Sequence, residues 1–319
     1  MMTIFLNTCL LIVGFALLIK GADWLVDGAS SIAMNFKIPK TIIGLTIVAF
    51  GTSAPELAVS FQALRTNSVD LTFGNVIGSG VLNIFLLIGL AALVRPIAVK
   101  DTTIKAELPI CLLITGVFIA LINDEILGNG TVNMFSREDA IVALLVFGVF
   151  LNYTIRSALK HGERYRGKPQ FGIWQSILLV IVGLVGLVFG SDLVVDSSVE
   201  IANLIGLSER LIALTIITFG TSLPELVTTI VSSKKGEQDL IIGNIIGSNI
   251  FNICVVLTLP VLVYGNMIPS EVNLLDCVMV MLAADLLFVF AIEGRIITRL
   301  NGLIMLGLFL LYYFLVMAL

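Results

Sequence analysis

The chain has 319 residues, of which 58% are hydrophobic and only 13% are charged, and its formal net charge is −4. The mean hydropathy of +1.08 and the low charged fraction together exclude an ordinary soluble globular domain, because about a quarter of the residues in such domains are charged. The apolar residues form long continuous runs and not short segments of alternating polarity, which excludes a β-barrel. These features predict an all-α membrane protein that crosses the bilayer several times.

Ten apolar segments approach the roughly 20 residues that a helix needs to cross a bilayer. In chain order, the predicted spans are residues 3–34, 41–64, 71–94, 104–122, 139–159, 172–205, 210–232, 240–263, 272–292 and 296–318. The first segment lacks the basic amino-terminal region of a signal peptide, so we interpret it as a retained helix. The first and sixth spans are long and have polar carboxyl-terminal thirds, which predicts tilted or broken helices.

The two halves of the chain repeat each other at one constant offset. Residues 44–60 read GLTIVAFGTSAPELAVS, and residues 213–229 read ALTIITFGTSLPELVTT. A second motif, GNVIGSGVLNIF at residues 74–85, recurs as GNIIGSNIFNIC at residues 243–254. The shared glycines, hydroxyls, amides and glutamate lie inside apolar stretches. Polar groups are costly there, so we interpret them as functional.

Five predicted spans fall in each half of the chain. Because five is an odd number, the second copy must enter the membrane from the side opposite to the first. The sequence therefore predicts ten transmembrane helices arranged as two inverted five-helix repeats. The first repeat is residues 1–160 with its motif at 44–85, the second is residues 172–319 with its motif at 213–254, and residues 161–171 connect them.

The basic residues of the predicted loops indicate the orientation. If the amino terminus is outside, the inside loops hold 14 lysine and arginine residues and the outside loops hold three. Membrane proteins retain basic loops on the cytoplasmic side. This predicts that both termini are outside and that the connecting loop, residues 161–171, is cytoplasmic.

The first repeated motif combines helix-breaking residues with oxygen-bearing side chains. Proline removes a backbone donor and glycine weakens the helix, so we expect breaks near residues 51–55 and 220–224. Broken backbone at membrane depth frees carbonyl oxygens, which persist only beside protein or a water-filled cavity. The same motif supplies carboxylate and hydroxyl oxygens from Glu56, Thr52, Ser53, Glu225, Thr221 and Ser222. A kink with back-bonded hydroxyls explains the hydroxyls alone. It does not explain a matched glutamate in each half, so we interpret both glutamates as cation ligands.

The second repeated motif forms a polar stripe on one helical face, because its polar residues recur every four positions. The stripe consists of Asn75, Ser79 and Asn83 in the first repeat, and of Asn244, Ser248 and Asn252 in the second. These side chains could simply form hydrogen bonds between helices. Because we expect them to face the two glutamates, we interpret the stripe as the second wall of an ion site. We assign Asn75 and Asn244 to structure. The glycines of this motif predict close helix approach; they are Gly74, Gly78, Gly243 and Gly247.

The candidate site offers oxygen atoms only, and the single histidine, His161, lies in the connecting loop. Ca²⁺ takes six to eight oxygen ligands in flexible geometry, and Na⁺ accepts similar donors, whereas Zn²⁺ and copper favour softer ligands. Mg²⁺ stays possible but needs stricter octahedral order. Two carboxylates in a dry site require compensation by a metal ion, Na⁺ or a proton. Mutually exclusive compensation by different ions is the physical basis of exchange.

The paired GTSxPE and GNxIGSxxxN blocks resemble the α1 and α2 repeats of the cation/Ca²⁺ exchanger superfamily, and the sequence is most similar to its prokaryotic sodium/calcium exchangers. This resemblance implies alternating access, in which the first and sixth helices slide across the remaining bundle. It also implies a metal-ion site formed by Glu56, Glu225, Thr52, Ser53, Thr221, Ser222, Ser79, Ser248, Asn83 and Asn252. The carbonyl groups of Ala49 and Thr218 enter this set through the resemblance alone.

The resemblance further implies a secondary active antiporter, and not an enzyme, that exchanges Na⁺ for Ca²⁺ and extrudes Ca²⁺ across the inner membrane of a prokaryote. Potassium-dependent members usually have an aspartate at the position of Asn252, so we expect transport without K⁺. The sequences GNVIG and GNIIG lack the glutamate of the proton/calcium branch. A proton-coupled antiporter of the same fold is nevertheless the alternative, and a passive channel and an intramembrane aspartyl protease are disfavoured.

The implied partners are the transported Na⁺ and Ca²⁺ ions and the lipid bilayer, with no resident cofactor, no nucleic acid and no obligate protein partner. Two further acidic pairs match between the repeats, Asp23 with Asp27 and Asp192 with Asp196. They could guide cations, gate the site or be solvated helix ends. Lys20 is a candidate partner that neutralises Asp23.

Overall fold

The computed structural model describes residues 2–66, 68–127, 132–160, 168–204, 218–269 and 272–318. Within these ranges, eight helices are long and apolar enough to cross a membrane, and a bent pair of helices provides a ninth span. Most of the connecting loop that we predicted at 161–171, and the beginning of the predicted span 210–232, lie outside the described residues.

The first repeat contains seven described helices. They are α1 (Met2–Phe36), α2 (Lys40–Thr52), α3 (Ala54–Arg65), α4 (Val69–Val94), α5 (Thr103–Leu121), α6 (Asp124–Leu127) and α7 (Arg137–Lys160). Helices α2 and α3 form one span that bends by 43°. Helix α4 contains a π-helical segment, Leu82–Ile88.

The second repeat follows the same order. Its described helices are α8 (Ile173–Leu204), α9 (Thr218–Thr221), α10 (Leu223–Lys235), α11 (Gln238–Tyr264), α12 (Leu274–Ile292) and α13 (Arg299–Ala318). Helix α11 contains a π-helical segment, Asn252–Val256, at the position that matches the one in α4. The two central helices, α4 and α11, are the most buried spans, so the motif residues lie in the core.

Short backbone pairings mark the two ends of the bundle. Strand β1 (Ile97–Ala98) pairs antiparallel with β2 (Ile296–Ile297), and we name this the strand end. The backbones of Phe135 and Met267 exchange hydrogen bonds of 2.8 and 2.9 Å, and we name this the bridge end. Helix α5 runs from the first to the second, so these are opposite faces of the molecule.

Helices α1 and α8 pack against each other along a seam of glycines. A Cβ atom on Gly21 would lie 2.8 Å from the carbonyl oxygen of Gly183, and one on Gly190 would lie 2.9 Å from that of Gly14. Such contacts require small residues, because the two backbones touch. Gly14 and Gly21 match Gly183 and Gly190 in the repeat, so both copies contribute the same surface to the seam.

The glycines of the second motif divide into two groups. A Cβ on Gly243 would lie 2.3 Å from the carbonyl oxygen of Thr41, and one on Gly247 would lie 2.6 Å from that of Leu45. The close helix approach predicted for these two is therefore confirmed between α11 and α2. No described atom lies within 4 Å of a Cβ on Gly74 or Gly78. Their partner segment by repeat symmetry, residues 210–214, is outside the described part of the chain.

The predicted spans agree with the described helices to within a few residues, with two differences. Helices α1 and α8 are continuous, so the alternative that they are broken is wrong. The last helix begins at Arg299 and not at 296, because residues 296–297 form β2. Thr298 and Asn301 cap the helix start, since each side chain accepts a hydrogen bond from the other's backbone N–H.

Lys235, at the end of α10, is the main partner of the first acidic pair. Its Nζ lies 2.8 Å from Asp27 and 3.3 Å from Asp23, whereas the predicted partner Lys20 lies 3.9 Å from Asp23. The matching pair, Asp192 and Asp196, is exposed, and neither forms an ion pair with a described residue. Lys235 of α10 therefore neutralises the pair Asp23 and Asp27, and no described residue does the same for Asp192 and Asp196.

Candidate cation site

Each motif glutamate lies in the first turn of a helix that follows a bend. Ser53 separates α2 from α3 and Ser222 precedes α10, with φ/ψ angles of −86°/10° and −91°/8°. A proline follows two residues later in both cases, where a missing N–H is tolerated. Glu56 and Glu225 therefore sit at helix amino termini, where the helix dipole favours a carboxylate.

Hydrogen bonds between these motifs join the two repeats. The Ser53 hydroxyl donates to Oε1 of Glu225 at 2.9 Å, and the Ser222 hydroxyl donates to Oε1 of Glu56 at 3.3 Å. All four side chains are at most 2% exposed. The structure therefore brings together both glutamates and both serines that the sequence singled out, at one buried place where the repeats meet.

Several buried oxygens of the two motifs form no hydrogen bond with any described residue. They are Oε2 of Glu56, Oε2 of Glu225, Oδ1 of Asn83, Oδ1 of Asn252 and Oγ of Ser248. Buried polar atoms without partners are rare and costly, so a group of them in one place points to a ligand. These five belong to predicted site residues, whereas the equally unpartnered hydroxyls of Thr228 and Thr229, on the helix that carries Glu225, were not predicted.

The amide side chains turn their nitrogens toward protein. Asn252 Nδ2 donates to the hydroxyl of Ser79 at 3.0 Å, and Asn83 Nδ2 donates to Oδ1 of Asn249 at 3.1 Å. Amide oxygens remain for a ligand, and only oxygens suit Ca²⁺ or Na⁺. Asn249 was not among the predicted site residues; the only signal for it in the sequence is that it differs from its counterpart in the first repeat, Gly80.

The remaining predicted residues lie at the edge of the group. Thr52 is fully buried, and its hydroxyl lies 3.4 Å from the Ala49 carbonyl oxygen and 3.3 Å from Oδ1 of Asn244. The Ala49 carbonyl also accepts the backbone N–H of Ser53 at 3.0 Å. Thr221 is half-buried at the end of α9. Thr218 begins that helix, and its side chain lies outside the described residues.

Asn75 has the structural role that we assigned to it. Its Nδ2 donates to the backbone carbonyl of Glu56 at 3.2 Å and lies 3.4 Å from the Ser60 hydroxyl. Asn244 differs, because it contacts Thr52 and its buried Nδ2 has no partner among the described residues. The two copies of the first amide thus support the site in different ways.

The proline in the second copy of the first motif frees a carbonyl, as predicted, and this carbonyl accepts a hydrogen bond from a serine. Pro224 has no N–H to reach the Gly220 carbonyl, which instead accepts the Ser191 hydroxyl at 2.7 Å. Ser191 is 2% exposed and lies on α8. The matching residue in the first repeat is Ala22, so this bond exists in one half only.

We expect Ser191→Ala to lower the free energy of unfolding by about 1–3 kcal/mol, because it leaves the buried carbonyl of Gly220 without a donor. Thermal unfolding in detergent measures this loss. Ser197→Ala is the matched control, since Ser197 is an equally buried serine of the same helix. Equal melting temperatures for both variants would show that the bond contributes nothing.

No cluster of three histidine, cysteine, aspartate or glutamate side chains able to hold a metal occurs in the described ranges. The candidate site therefore combines two carboxylates with neutral hydroxyl and amide oxygens. Such a donor set suits a hard cation held with little excess charge, and not a softer metal.

A bundle of membrane helices built from inverted repeats, with polar residues buried where spans bend, is the architecture of a secondary transporter. The model of the sodium/calcium exchanger protein family matches residues 6–156 and 175–318. The chain belongs to this family and is an antiporter, not an enzyme.

Two relatives and one solved structure illustrate the similarity. The putative antiporter CaxA of Alkalimonas amylolytica is 39% identical over 98% of both chains. The inner membrane protein YrbG of Escherichia coli (strain K12) is 39% identical over 84% of this chain and 82% of its own. The sodium-calcium exchanger NCX_Mj, in a structure soaked with 10 mM Na⁺ and 10 mM Sr²⁺, superposes with a TM-score of 0.85 at 31% identity, over 99% of both chains.

Proposed function

We propose that the protein exchanges Na⁺ for Ca²⁺ by alternating access and extrudes Ca²⁺ without K⁺. The observation that carries this proposal is the reciprocal pairing of Ser53 with Glu225 and of Ser222 with Glu56. Each of the two buried carboxyl groups keeps one oxygen without a described protein partner, as do the amide side chains of Asn83 and Asn252. The similarity to a sodium-calcium exchanger and to an antiporter supports the same conclusion.

The proposed ligands come from both repeats. Glu56 and Glu225 are the central ligands, and the neutral oxygens come from Thr52, Ser53, Ser79, Asn83, Thr221, Ser222, Ser248, Asn252 and the carbonyls of Ala49 and Thr218. Of these, Ser79 is already engaged on both sides, because it donates to the Val76 carbonyl and accepts from Asn252. We therefore give it a smaller share in binding than Ser248.

The electrostatics of the site explain why one ion leaves only when another replaces it. Two carboxylates removed from water are strongly unfavourable without a compensating charge. One Ca²⁺ balances both, and Na⁺ ions balance them in turn, so neither ion leaves unless the other replaces it. The site cannot switch its access from one side of the membrane to the other while it is empty, because its two carboxylates would then lack a compensating charge. The two ion fluxes are coupled for this reason. This makes downhill Na⁺ entry a source of energy for Ca²⁺ extrusion.

The basic loops support an orientation with the strand end in the cytoplasm. Arg95, Lys100 and Arg295 lie at this end, next to β1 and β2, and cytoplasmic loops are enriched in such residues. The similarity to an inner membrane protein supports the inner membrane of a prokaryote as the location. Both termini would then be outside and the connecting loop cytoplasmic.

Uptake of ⁴⁵Ca²⁺ into proteoliposomes under an imposed Na⁺, K⁺ or H⁺ gradient tests the proposal. We expect an outward Na⁺ gradient to drive uptake, and a K⁺ gradient of equal size to drive none. A proton gradient is expected to be ineffective at constant Na⁺. Uptake that follows the pH gradient alone would replace the proposal with the proton-coupled alternative, and uptake without saturation or counter-ion would indicate a channel.

A further inference from the structure

The two halves of the candidate site hold their amide side chains differently, although their sequences match. In one half, Asn252 Nδ2 donates to the hydroxyl of Ser79. Repeat symmetry would have Asn83 donate to Ser248, the residue that matches Ser79. Asn83 instead donates to Asn249 at 3.1 Å.

The Ser248 hydroxyl is therefore not engaged by Asn83, and it faces the Glu225 carboxyl. Its Oγ is buried and has no hydrogen-bond partner within the described ranges, as is also true of Oδ1 of Asn83. Ser79, in contrast, is engaged by Asn252 and by the Val76 carbonyl. One half of the site therefore presents a hydroxyl oxygen and an amide oxygen together, and the other half presents an amide oxygen alone.

The residue that causes this difference is Asn249. It is 4% exposed, lies on α11 one residue after Ser248, and matches Gly80 in the first repeat. Gly80 has no side chain that could accept the Asn252 amide in the same way, so only the second repeat supplies such an acceptor. The bond joins α11 to the π-helical segment of α4 that carries Asn83.

We propose that Asn249 is a positioning residue that makes the two halves of the site inequivalent, by holding the Asn83 amide away from Ser248 and leaving both oxygens to the divalent ion. This inference rests on the proposed function of the site. Ca²⁺ takes six to eight oxygen ligands, which is more than the carboxylates of Glu56 and Glu225 can supply. We therefore expect Ca²⁺ binding to depend more than Na⁺ binding on the neutral oxygens. Asn249 thereby raises the affinity for Ca²⁺ relative to that for Na⁺.

The test compares Asn249→Ala with Asn249→Ser and with a distant control. We expect Asn249→Ala to raise the KM for Ca²⁺ by about five- to tenfold, the effect of losing about one hydrogen bond to a buried group. The maximal rate and the apparent Na⁺ affinity should change less than twofold. Asn249→Ser retains an acceptor hydroxyl, and we expect it to recover at least half of the loss.

Asn123→Ala is the matched control, because Asn123 is a buried asparagine outside both motifs that donates to the Ile119 carbonyl and to Cys277 Sγ. We expect it to alter the melting temperature but not the KM for Ca²⁺. An unchanged KM in Asn249→Ala, or an equal rise for Ca²⁺ and Na⁺, would overturn the proposal. If the unmodified protein itself shows no Na⁺-driven Ca²⁺ flux, the proposed function has failed instead.

Discussion

Glu56→Gln and Glu225→Gln are each expected to abolish Na⁺-driven Ca²⁺ transport while the protein remains folded. Glutamine retains the size of the side chain and the oxygen that accepts the hydrogen bond from Ser222 or Ser53. It removes one of two carboxylates that lie at most 1% exposed. A divalent ion would then keep an uncompensated charge in a dry site. Breaking a buried charge pair costs about 3–5 kcal/mol, so we expect Ca²⁺ affinity to fall at least about a hundredfold.

Two measurements separate lost binding from lost folding. Uptake of ⁴⁵Ca²⁺ into vesicles reports transport, and thermal unfolding with and without Ca²⁺ reports binding, because a ligand of the folded state raises its stability. We expect Ca²⁺ to raise the melting temperature of the unmodified protein and not that of either variant. Glu293→Gln, the same change at an exposed position after α12, is the control and should behave normally. Full flux from either site variant would refute the assignment.

Gly243→Ala is expected to prevent assembly of the core, although it adds only one methyl group. The new Cβ would lie 2.3 Å from the Thr41 carbonyl oxygen and 3.0 Å from Gly44 Cα and Leu45 N. These are backbone atoms of α2, so no side-chain rotation relieves the overlap. Overpacking of this kind costs typically 1–3 kcal/mol and more when backbones must separate. It exceeds the roughly 1 kcal/mol that alanine gains over glycine in a helix.

Expression, detergent extraction and thermal unfolding measure this effect. Gly148→Ala in α7 is the control, because no described atom lies within 4 Å of a Cβ at that position. It makes the same change in helix propensity without the contact, so we expect equal or higher stability. A Gly243→Ala protein as stable as the control would show that α2 and α11 do not touch at this glycine. The prediction also separates motif residues that pack helices from those that bind ions.

The architecture could be predicted because its signals are local and repeated. Long apolar runs define the spans, and a matched glutamate inside each half identifies the place where the halves meet. The reciprocal contacts of Ser53 and Ser222 with the opposite glutamate follow from this inverted pairing. A residue pattern that recurs at one offset therefore carries three-dimensional information when the repeats are interlocked.

The sequence could not predict contacts that depend on packing between distant segments. Lys235 neutralises Asp27 across 208 positions, whereas the local alternative was Lys20, which is near in sequence and largely exposed. Asn83 lies in the π-helical segment of α4 and bonds to Asn249 of α11, and hydropathy does not indicate such a segment. Asn249 and Ser191 could not be predicted from the repeat, because their counterparts in the other half, Gly80 and Ala22, have no polar side chain.

Equilibrium binding of ⁴⁵Ca²⁺ to the purified protein, titrated with Na⁺ at constant ionic strength, tests most directly whether one enclosed oxygen site serves both ions. We predict that Na⁺ displaces Ca²⁺ completely and competitively, that K⁺ does not, and that Glu56→Gln and Glu225→Gln each eliminate the bound Ca²⁺. Calcium binding that is indifferent to Na⁺, or that persists at full strength without either carboxylate, would contradict the account.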